Sequence, residues 1–309
     1  MGTRKTQVLF PCRSTHYPDG YVEDMIASKP VFRGALNPDP VQNRESGESG
    51  TGKDTKKDEN KEKVTNYDNK ARAARRAARA VRSLAHCARF KYFVTLTLDN
   101  NKIDRYDPDI IIKKMSTWCD NKVRRNGLCY ILVPEYHKDG AIHFHGFFND
   151  ALPVVDSGTI SRPGEKRPKR PRSRAQRAQW IEEGGHVVYN LPSWSWGFTT
   201  AIELYGDYAQ AINYVTKYLT KQVEDCGDKI GGRWYYHGGK FEKPEVKTDN
   251  YDYINFNDEF PDLAKTYHKY TVDEIGVRFM VRLYKPGEWD AEWIESQKRD
   301  TKEEERQWI

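Results

Sequence analysis

The residues from Pro134 to Phe148, PEYHKDGAIHFHGFF, predict a β-hairpin, and its register limits the possible folds of this chain strongly. Alternating apolar and polar residues flank the turn residues KDG, a pattern that suits a three-residue loop with Gly140 in the left-handed conformation. That loop places Glu135 directly across from His143, with their β-carbons within about 5.5 Å.

The second strand of this hairpin carries two histidines on one face. His143 and His145 are two residues apart, so both imidazoles lie on the same side of the sheet, while Ile142 and Phe144 point to the other side. Together with Glu135 they form an incomplete ligand shell with room for water and substrate oxygens, which suits a divalent ion. The same ligand types also fit zinc, and a hydrogen-bonded histidine pair is the alternative.

A second pattern lies in the helical segment DYAQAINYVTKYLTKQ. At about 100° per residue, Tyr218 lies about 40° from Tyr214, while Lys217 and Lys221 lie at about −60° and −20°. These four residues share an arc beside the apolar stripe rather than within it, and Tyr218 is nearer to the stripe than Tyr214. The stripe consists of Tyr208, Ile212, Val215 and Leu219.

The tyrosines and lysines on this arc are suited to nucleophilic attack. A free phenol has a pKa of about 10, roughly three units from ionisation at neutral pH. Adjacent ammonium groups favour the phenolate, and they could also bind a phosphate that is under attack. The sequence therefore nominates Tyr214 and Tyr218 as nucleophiles, assisted by Lys217 and Lys221.

The remaining pattern favours an α+β fold with a central antiparallel sheet of about five strands and flanking helices. A capped helix is predicted near residues 107–127, with Asp107 or Asp109 as the cap and Gly127 as the stop. The predicted strands, in chain order, are KYFVTLTLDN, LCYILVPEYH, AIHFHGFFND, HVVYN, GFTTAIEL and GGRWYYHGG.

Composition along the chain predicts the domain boundaries. Residues 1–70 are interpreted as a polar, largely disordered arm, and residues 71–240 as the main domain, with a mobile basic loop at 158–185. Residues 241–309 are interpreted as an extension with a charged terminal helix. Gly47–Lys53 fits G-x-x-x-x-G-K, but it lacks a preceding strand and a following Ser or Thr, so a nucleotide site is not expected.

The formal net charge is +6, and the basic residues are concentrated in two segments. ARAARRAARAVRSLAHCARF is a predicted helix without acids. A solvated basic helix is the simplest interpretation, but a basic helix with no acidic partner suits a phosphate backbone better. The loop near SRPGEKRPKRPRSRAQR is the second segment. The candidate DNA-binding residues are Arg72, Arg75, Arg76, Arg79, Arg82, Lys169, Arg170 and Arg172.

Five cysteines without paired spacing indicate a reducing compartment. The N-terminus has no apolar segment of signal-peptide length, and no run is long enough to span a membrane. The expectation is a cytoplasmic protein without a membrane partner.

Three motifs then stand in one order: FVTLTLD at 93–99, PEYHKDGAIHFHGFF at 134–148, and NYVTKYLTK at 213–221. Over roughly residues 72–240 the chain resembles the rolling-circle replication initiators of the HUH endonuclease superfamily, in particular the two-tyrosine phage and bacterial replication-associated proteins such as those of microviruses. Conjugative relaxases differ, because their tyrosine usually precedes the histidine strand.

The resemblance implies a ferredoxin-like or RRM-like sheet with the tyrosine helix laid across a metal ion. It implies that His143, His145 and Glu135 hold Mg²⁺ or Mn²⁺, and that Tyr214 or Tyr218 cuts one strand of single-stranded or supercoiled origin DNA. The products are a 5′-phosphotyrosine and a free 3′-OH. Since no helicase motif is evident, a host helicase and DNA polymerase are the expected partners in a bacterial cell.

Two alternatives use the same residues differently. A tyrosine transposase of the HUH type would act on transposon ends. A non-catalytic module that binds single-stranded nucleic acid would stack bases on Trp194, Trp196 and Phe198, although such aromatic residues are more often part of a core.

Overall fold

The computed structural model describes residues 7–9, 12–27, 31–33, 59–204, 208–225, 229–249, 265–272 and 277–285. The chain divides into two units, of which the first is Met1–Lys56 with Lys243–Ile309 and the second is Lys57–Glu242. The strands are β1 (Gln7–Leu9), β2 (Cys12–His16), β3 (Val22–Ala27), β4 (Val31–Arg33), β5 (Tyr92–Thr97), β6 (Tyr130–Tyr136), β7 (Ile142–Phe148), β8 (Val155–Ser161), β9 (His186–Asn190), β10 (Thr199–Glu203), β11 (Tyr236–Gly238), β12 (Glu245–Asp249), β13 (Lys265–Val272) and β14 (Val277–Tyr284). The helices are α1 (Glu59–Ala85), α2 (Pro108–Asn126), α3 (Arg174–Glu182) and α4 (Tyr208–Asp225), and Ile230–Gly232 forms a 3₁₀ turn.

The second unit is built on an antiparallel sheet of seven strands in the order β11-β6-β7-β5-β10-β9-β8. The predicted α+β class with an antiparallel sheet is confirmed, but the expected number of about five strands is wrong. The strand that the sequence analysis missed is β8, of which only Ile160 is buried. A strand with a single buried side chain shows no apolar alternation, so its sequence resembles that of a loop.

Helices cover both faces of this sheet. On one face, α2 contributes Ile111, Met115 and Trp118 to a core that also contains Phe144 and Phe148 of β7. Trp194 is buried in the same core and Trp196 packs against it, as expected for core aromatic residues, whereas Phe198 is exposed. Because β7 alternates, its histidines lie on the opposite face, toward α1 and α4.

The second core lies between the sheet and the α1–α4 pair. Helix α1 buries small residues at helical spacing, and α4 buries Ile212, Val215 and Leu219. Tyr208 of α4 donates a hydrogen bond to the Ala85 carbonyl at the end of α1 (2.9 Å), which joins the two helices. The predicted apolar stripe of α4 is therefore confirmed. The buried residues of α1 are Ala74, Ala77, Ala78, Val81 and Ala85.

Local signals for helix ends and turns were predicted well. The Asp107 carboxylate accepts backbone hydrogen bonds at the start of α2, and Gly127 ends this helix at φ 73°. In the hairpin loop, Gly140 has φ 84°. The loop sets the predicted register, in which Glu135 pairs with His143.

The first unit contains a five-stranded antiparallel sheet in the order β12-β2-β3-β14-β13 and a separate β1–β4 pair. Residues 7–33 had been interpreted as part of a largely disordered arm, whereas β2 and β3 pair with strands from residues 245–284. Strands from the two ends of the chain complete one sheet, and nothing local in the sequence signals such a long-range pairing. The G-x-x-x-x-G-K motif at Gly47–Lys53 and the charged terminal helix lie outside the described residues.

The segment 158–185, interpreted as a mobile basic loop, contains regular structure. It begins within β8 and includes α3, whose first turn is capped by the Ser173 hydroxyl. Lys169 pairs with Ile160 through two backbone hydrogen bonds. In the part of the chain that the structure describes, no helix combines the length and apolar content that crossing a bilayer requires.

Candidate metal and tyrosine site

Three potential ligand atoms converge on the α1–α4 face of the sheet. The Nε2 atoms of His143 and His145 lie 2.9 Å and 3.1 Å from the Glu135 Oε2 atom, and 3.3 Å from each other. Glu135 and His145 are buried, and the His143 side chain is 15% exposed. Two imidazoles and a carboxylate that face one point could hold a metal ion.

The backbone explains this convergence. Glu135 of β6 pairs with His143 of β7, and Thr97 and Thr95 of β5 pair with His143 and His145. A β-carbon on the neighbouring Gly146 would lie 1.8 Å from the Ile131 carbonyl oxygen. Only glycine permits this close approach of β6 and β7, which brings the ligands of the two strands together.

The surroundings of Glu135 favour its ionised form. Burial by itself raises the pKa of the Glu135 carboxyl. Hydrogen bonds from both imidazoles and from the Lys221 ammonium outweigh burial and hold this pKa well below its usual range. The carboxylate is therefore ionised at neutral pH and available as a ligand.

A contact with Thr95 fixes the orientation of the His145 ring. The Thr95 hydroxyl lies 3.1 Å from its Nδ1 atom. In the tautomer whose Nδ1 proton is donated to this hydroxyl, Nε2 carries a lone pair in place of the proton that hydrogen-bonds Glu135, and this lone pair can bind a metal ion. Burial lowers the pKa of His145 despite the hydrogen bond to Glu135, so the neutral imidazole, the form that binds metals, is favoured.

The tyrosine helix crosses the same face of the sheet, as the sequence analysis required. The Tyr218 ring stacks on the His145 ring, with centroids 4.2 Å apart and an interplanar angle of 6°. The Tyr218 hydroxyl donates a hydrogen bond of 2.6 Å to the Tyr214 hydroxyl. Tyr214 is 52% exposed and contacts Phe93 edge-on. Both phenols thus lie beside the candidate metal ligands.

One electrostatic expectation is wrong for Tyr218. Nearby lysines were expected to favour its phenolate, but burial raises the pKa of Tyr218 far above its usual value. The hydrogen bond to Tyr214 and the Glu135 charge act in the same direction. Lys221, whose ammonium was expected to face a phosphate, makes an ion pair with Glu135, while Lys217 is exposed.

The candidate DNA-binding residues are mostly at the surface. On α1, Arg82 is half-buried, and the other four arginines are exposed on the side opposite the buried alanines. Lys169 makes an ion pair with Glu165 at 2.8 Å, and Arg170 donates a hydrogen bond to the Ser157 carbonyl. Arg172 is exposed. A role in binding DNA stays a prediction for all eight residues.

Sequence reasoning missed three participants: Thr95, Phe93 and the ion pair between Lys221 and Glu135. Thr95 and Phe93 belong to the alternating run FVTLTLD, whose alternation places them on one face. Strands β5 and β7 are not consecutive, however, so no turn in the sequence specifies which residues of β5 meet the histidines. The close approach of β6 and β7 at Gly146 could have been predicted, since an isolated glycine inside a strand often marks a close backbone approach.

The pKa of Glu135 leads to a test by acid denaturation. Its folded-state pKa lies below the unfolded value of about 4.5, so the stabilisation is fully present above that pH and is lost as the pH falls toward the folded value. With chelator present, the wild type should lose about 2 kcal/mol more unfolding free energy than Glu135→Gln between pH values of about 6 and 3. Urea denaturation measures this difference, and the exposed Glu182→Gln serves as the control. Equal losses in wild type and Glu135→Gln would contradict the assignment.

Fold and site together define an antiparallel α+β protein in which a His-His-Glu cluster faces a tyrosine pair. Residues 91–223 match the family model of the replication-associated protein ORF2/G2P, and this match supports a rolling-circle replication initiator family. The matched segment runs from the residue before β5 into α4 and includes all residues of the site. Comparison with curated proteins and with solved structures finds no significant match.

Proposed function

We propose that this protein is an HUH-type endonuclease that initiates rolling-circle replication by nicking and rejoining one DNA strand. The observation that carries the proposal is the position of the tyrosine pair, because Tyr218 stacks on His145 and donates its hydrogen bond to Tyr214. A nucleophile beside a set of metal ligands is the arrangement that phosphodiester transesterification needs.

The donor set fits a divalent ion such as Mg²⁺ or Mn²⁺. His143, His145 and Glu135 would hold it, since their ligand atoms face one point and Glu135 stays ionised. A bound ion would polarise a phosphate oxygen and stabilise the negative charge of the transition state. The ion pair with Lys221 keeps one oxygen of Glu135 oriented, while the other oxygen faces the histidines.

The reaction would proceed by in-line attack. A tyrosine hydroxyl oxygen forms a bond to phosphorus as it loses its proton, and the bond between phosphorus and the 3′ oxygen breaks. The leaving oxygen takes up a proton to become a free 3′-OH, and the phosphate remains on the protein as a 5′-phosphotyrosine. Lys217, which is exposed, would add positive charge near the reacting phosphate, while Lys221 remains paired with Glu135.

The hydrogen bond between the two tyrosines suggests their order of use. Tyr214 is exposed, so DNA can reach it, and its hydroxyl accepts the hydrogen bond that the Tyr218 hydroxyl donates. Tyr218 is harder to ionise, because burial raises its pKa. Tyr214 would therefore make the first cut, and Tyr218 would transfer the strand after one round of synthesis.

The surrounding surface fits origin DNA as substrate. Exposed arginines of α1 and the basic residues near 169–172 would contact phosphates.

The central strands β6-β7-β5-β10 occur in the order of a ferredoxin-like sheet, although α4 follows β10 instead of preceding it. Origin DNA, a host helicase and a host polymerase in the bacterial cytoplasm would be the partners.

A covalent-adduct assay tests the proposal. The protein is incubated with labelled single-stranded origin DNA and Mn²⁺, and the products are separated under denaturing conditions. We expect a denaturant-resistant protein–DNA adduct that chelator prevents and that nuclease digestion reduces to a phosphotyrosine. The proposal fails if no adduct forms with Mn²⁺, Mg²⁺ or Zn²⁺ on DNA that the protein demonstrably binds.

A further inference from the structure

Phe198 is the most exposed large hydrophobic side chain of the described residues, at 69%. Two backbone hydrogen bonds join it to Thr97, with Thr97 N to Phe198 O at 2.8 Å and Phe198 N to Thr97 O at 3.1 Å. These bonds extend the β10–β5 ladder by one pair beyond Thr199 and Leu96. Residues directly opposite in an antiparallel ladder share a face, so the phenyl ring lies on the same face as the Thr97 side chain.

The same row of cross-strand pairs contains the candidate metal ligands. Thr97 pairs with His143, and His143 pairs with Glu135. Phe198, Thr97, His143 and Glu135 therefore form one line across four adjacent strands, which we call the metal row. Since neighbouring strands are about 4.8 Å apart, the backbones of Phe198 and His143 are separated by about 10 Å.

Helix α4 leaves the Phe198 end of this row uncovered. Its contacts with the sheet follow a diagonal, from Tyr214 against Phe93 of β5, through Tyr218 on His145 of β7, to Lys221 on Glu135 of β6. With each turn the helix moves one strand away from β10. The Thr97 and Thr200 side chains beside Phe198 are partly exposed, and Phe198 contacts no aromatic ring among the described residues.

We infer that Phe198 is a base-stacking platform that positions the single-stranded DNA next to the bond that is cut, an inference that rests on the proposed nicking function. A strand whose phosphate lies at His143 can continue along the open part of the metal row, over Thr97, toward Phe198. The phenyl face then supports a base close to the scissile phosphate. The hydroxyls of Thr97 and Thr200 offer hydrogen bonds to the DNA backbone between that phosphate and the stacked base. Stacking on an aromatic ring is tolerant of sequence, because every base has a π-face.

A lone exposed aromatic residue needs no functional explanation on most surfaces. The position of Phe198 is different, because it lies in register with the ligands and at the end of the row that α4 does not cover. An exposed phenyl ring contributes nothing to the core there. Trp194, four residues earlier, is buried, so it cannot provide the same platform.

Binding measurements that separate bases from phosphates test this inference. The probes are fluorescein-labelled oligothymidylate and a sugar-phosphate strand of equal length that is abasic at every position, with chelator present to prevent cutting. Fluorescence anisotropy gives the affinity of the wild type, Phe198→Ala and Phe198→Trp. Val155→Ala, which removes an exposed aliphatic side chain of β8, is the control.

We expect Phe198→Ala to weaken binding of oligothymidylate by about 5- to 100-fold and to leave binding of the abasic strand nearly unchanged. Phe198→Trp should restore the affinity, and Val155→Ala should match the wild type. Equal weakening of both probes, or none, would overturn the role of Phe198. If the wild type binds neither probe, the stacking role fails and the adduct assay on origin DNA decides the proposed function separately. An adduct formed by a Phe198→Ala protein of unaltered oligothymidylate affinity refutes only the stacking role.

Discussion

Replacing Tyr214 by Phe is expected to reduce the rate of the first DNA cut by about 1,000-fold or more, since removal of a nucleophile leaves only binding and electrostatic effects. The Tyr218→Phe variant should still form the first adduct. It should fail to release a closed circle, because it lacks the Tyr218 hydroxyl that makes the second transfer. Quenched-flow cleavage of labelled single-stranded origin DNA, followed by denaturing electrophoresis, measures both steps.

A matched control comes from a tyrosine at the surface of the same unit. Tyr106 is 46% exposed and its hydroxyl accepts a hydrogen bond from Arg105, so Tyr106→Phe alters a comparable group away from the ligands. It should cut and join at the wild-type rate. A first cut that survives in Tyr214→Phe and disappears in Tyr218→Phe would reverse the proposed order, and cutting by the double variant would remove the tyrosines from the mechanism.

Loss of one imidazole should also strongly reduce metal binding and DNA cutting. Changing an outer partner of a metal ligand commonly costs 10- to 100-fold in affinity, so His143→Ala should weaken Mn²⁺ binding by at least about 100-fold. His145→Ala should do the same and also removes the ring on which Tyr218 stacks. Titration calorimetry with Mn²⁺ measures the affinity, and adduct formation at saturating DNA measures the effect on cutting.

His137 is the appropriate control for these variants. Its ring approaches the His143 ring at 5.5 Å, but its side chain is 59% exposed and it is outside the ligand cluster. His137→Ala should retain both metal binding and cutting. If His143→Ala and His145→Ala bind Mn²⁺ as tightly as His137→Ala does, the three residues are a hydrogen-bonded cluster and the metal assignment is wrong.

The parts of the fold that depend on neighbouring residues could be predicted from sequence. The KDG loop specified which residues of β6 and β7 face each other, because a tight turn leaves one register. The helical periodicity of α4 separated the buried Leu219 from the exposed Tyr214, because burial follows the angular position on the helix. The cap at Asp107 followed from local hydrogen bonding in the same way.

The electrostatics of the site could not be predicted in this way. Lys221 lies beside the tyrosines on the helix surface, yet its ammonium contacts Glu135, because α4 crosses the sheet diagonally. That crossing also brings Tyr218 into a partly buried position near a carboxylate, where its pKa rises. Helix spacing describes which residues share an arc, but not what the arc meets.

By itself, the sequence predicted the candidate ligand trio, the tyrosine pair and the hairpin that organises them, because each depends on residues close together in the chain. The tertiary structure alone decided that Thr95 supports His145, that Phe198 joins the metal row, and that strands from both ends of the chain complete one sheet. Pairing between distant strands is set by the packing of whole faces, and no local pattern encodes it.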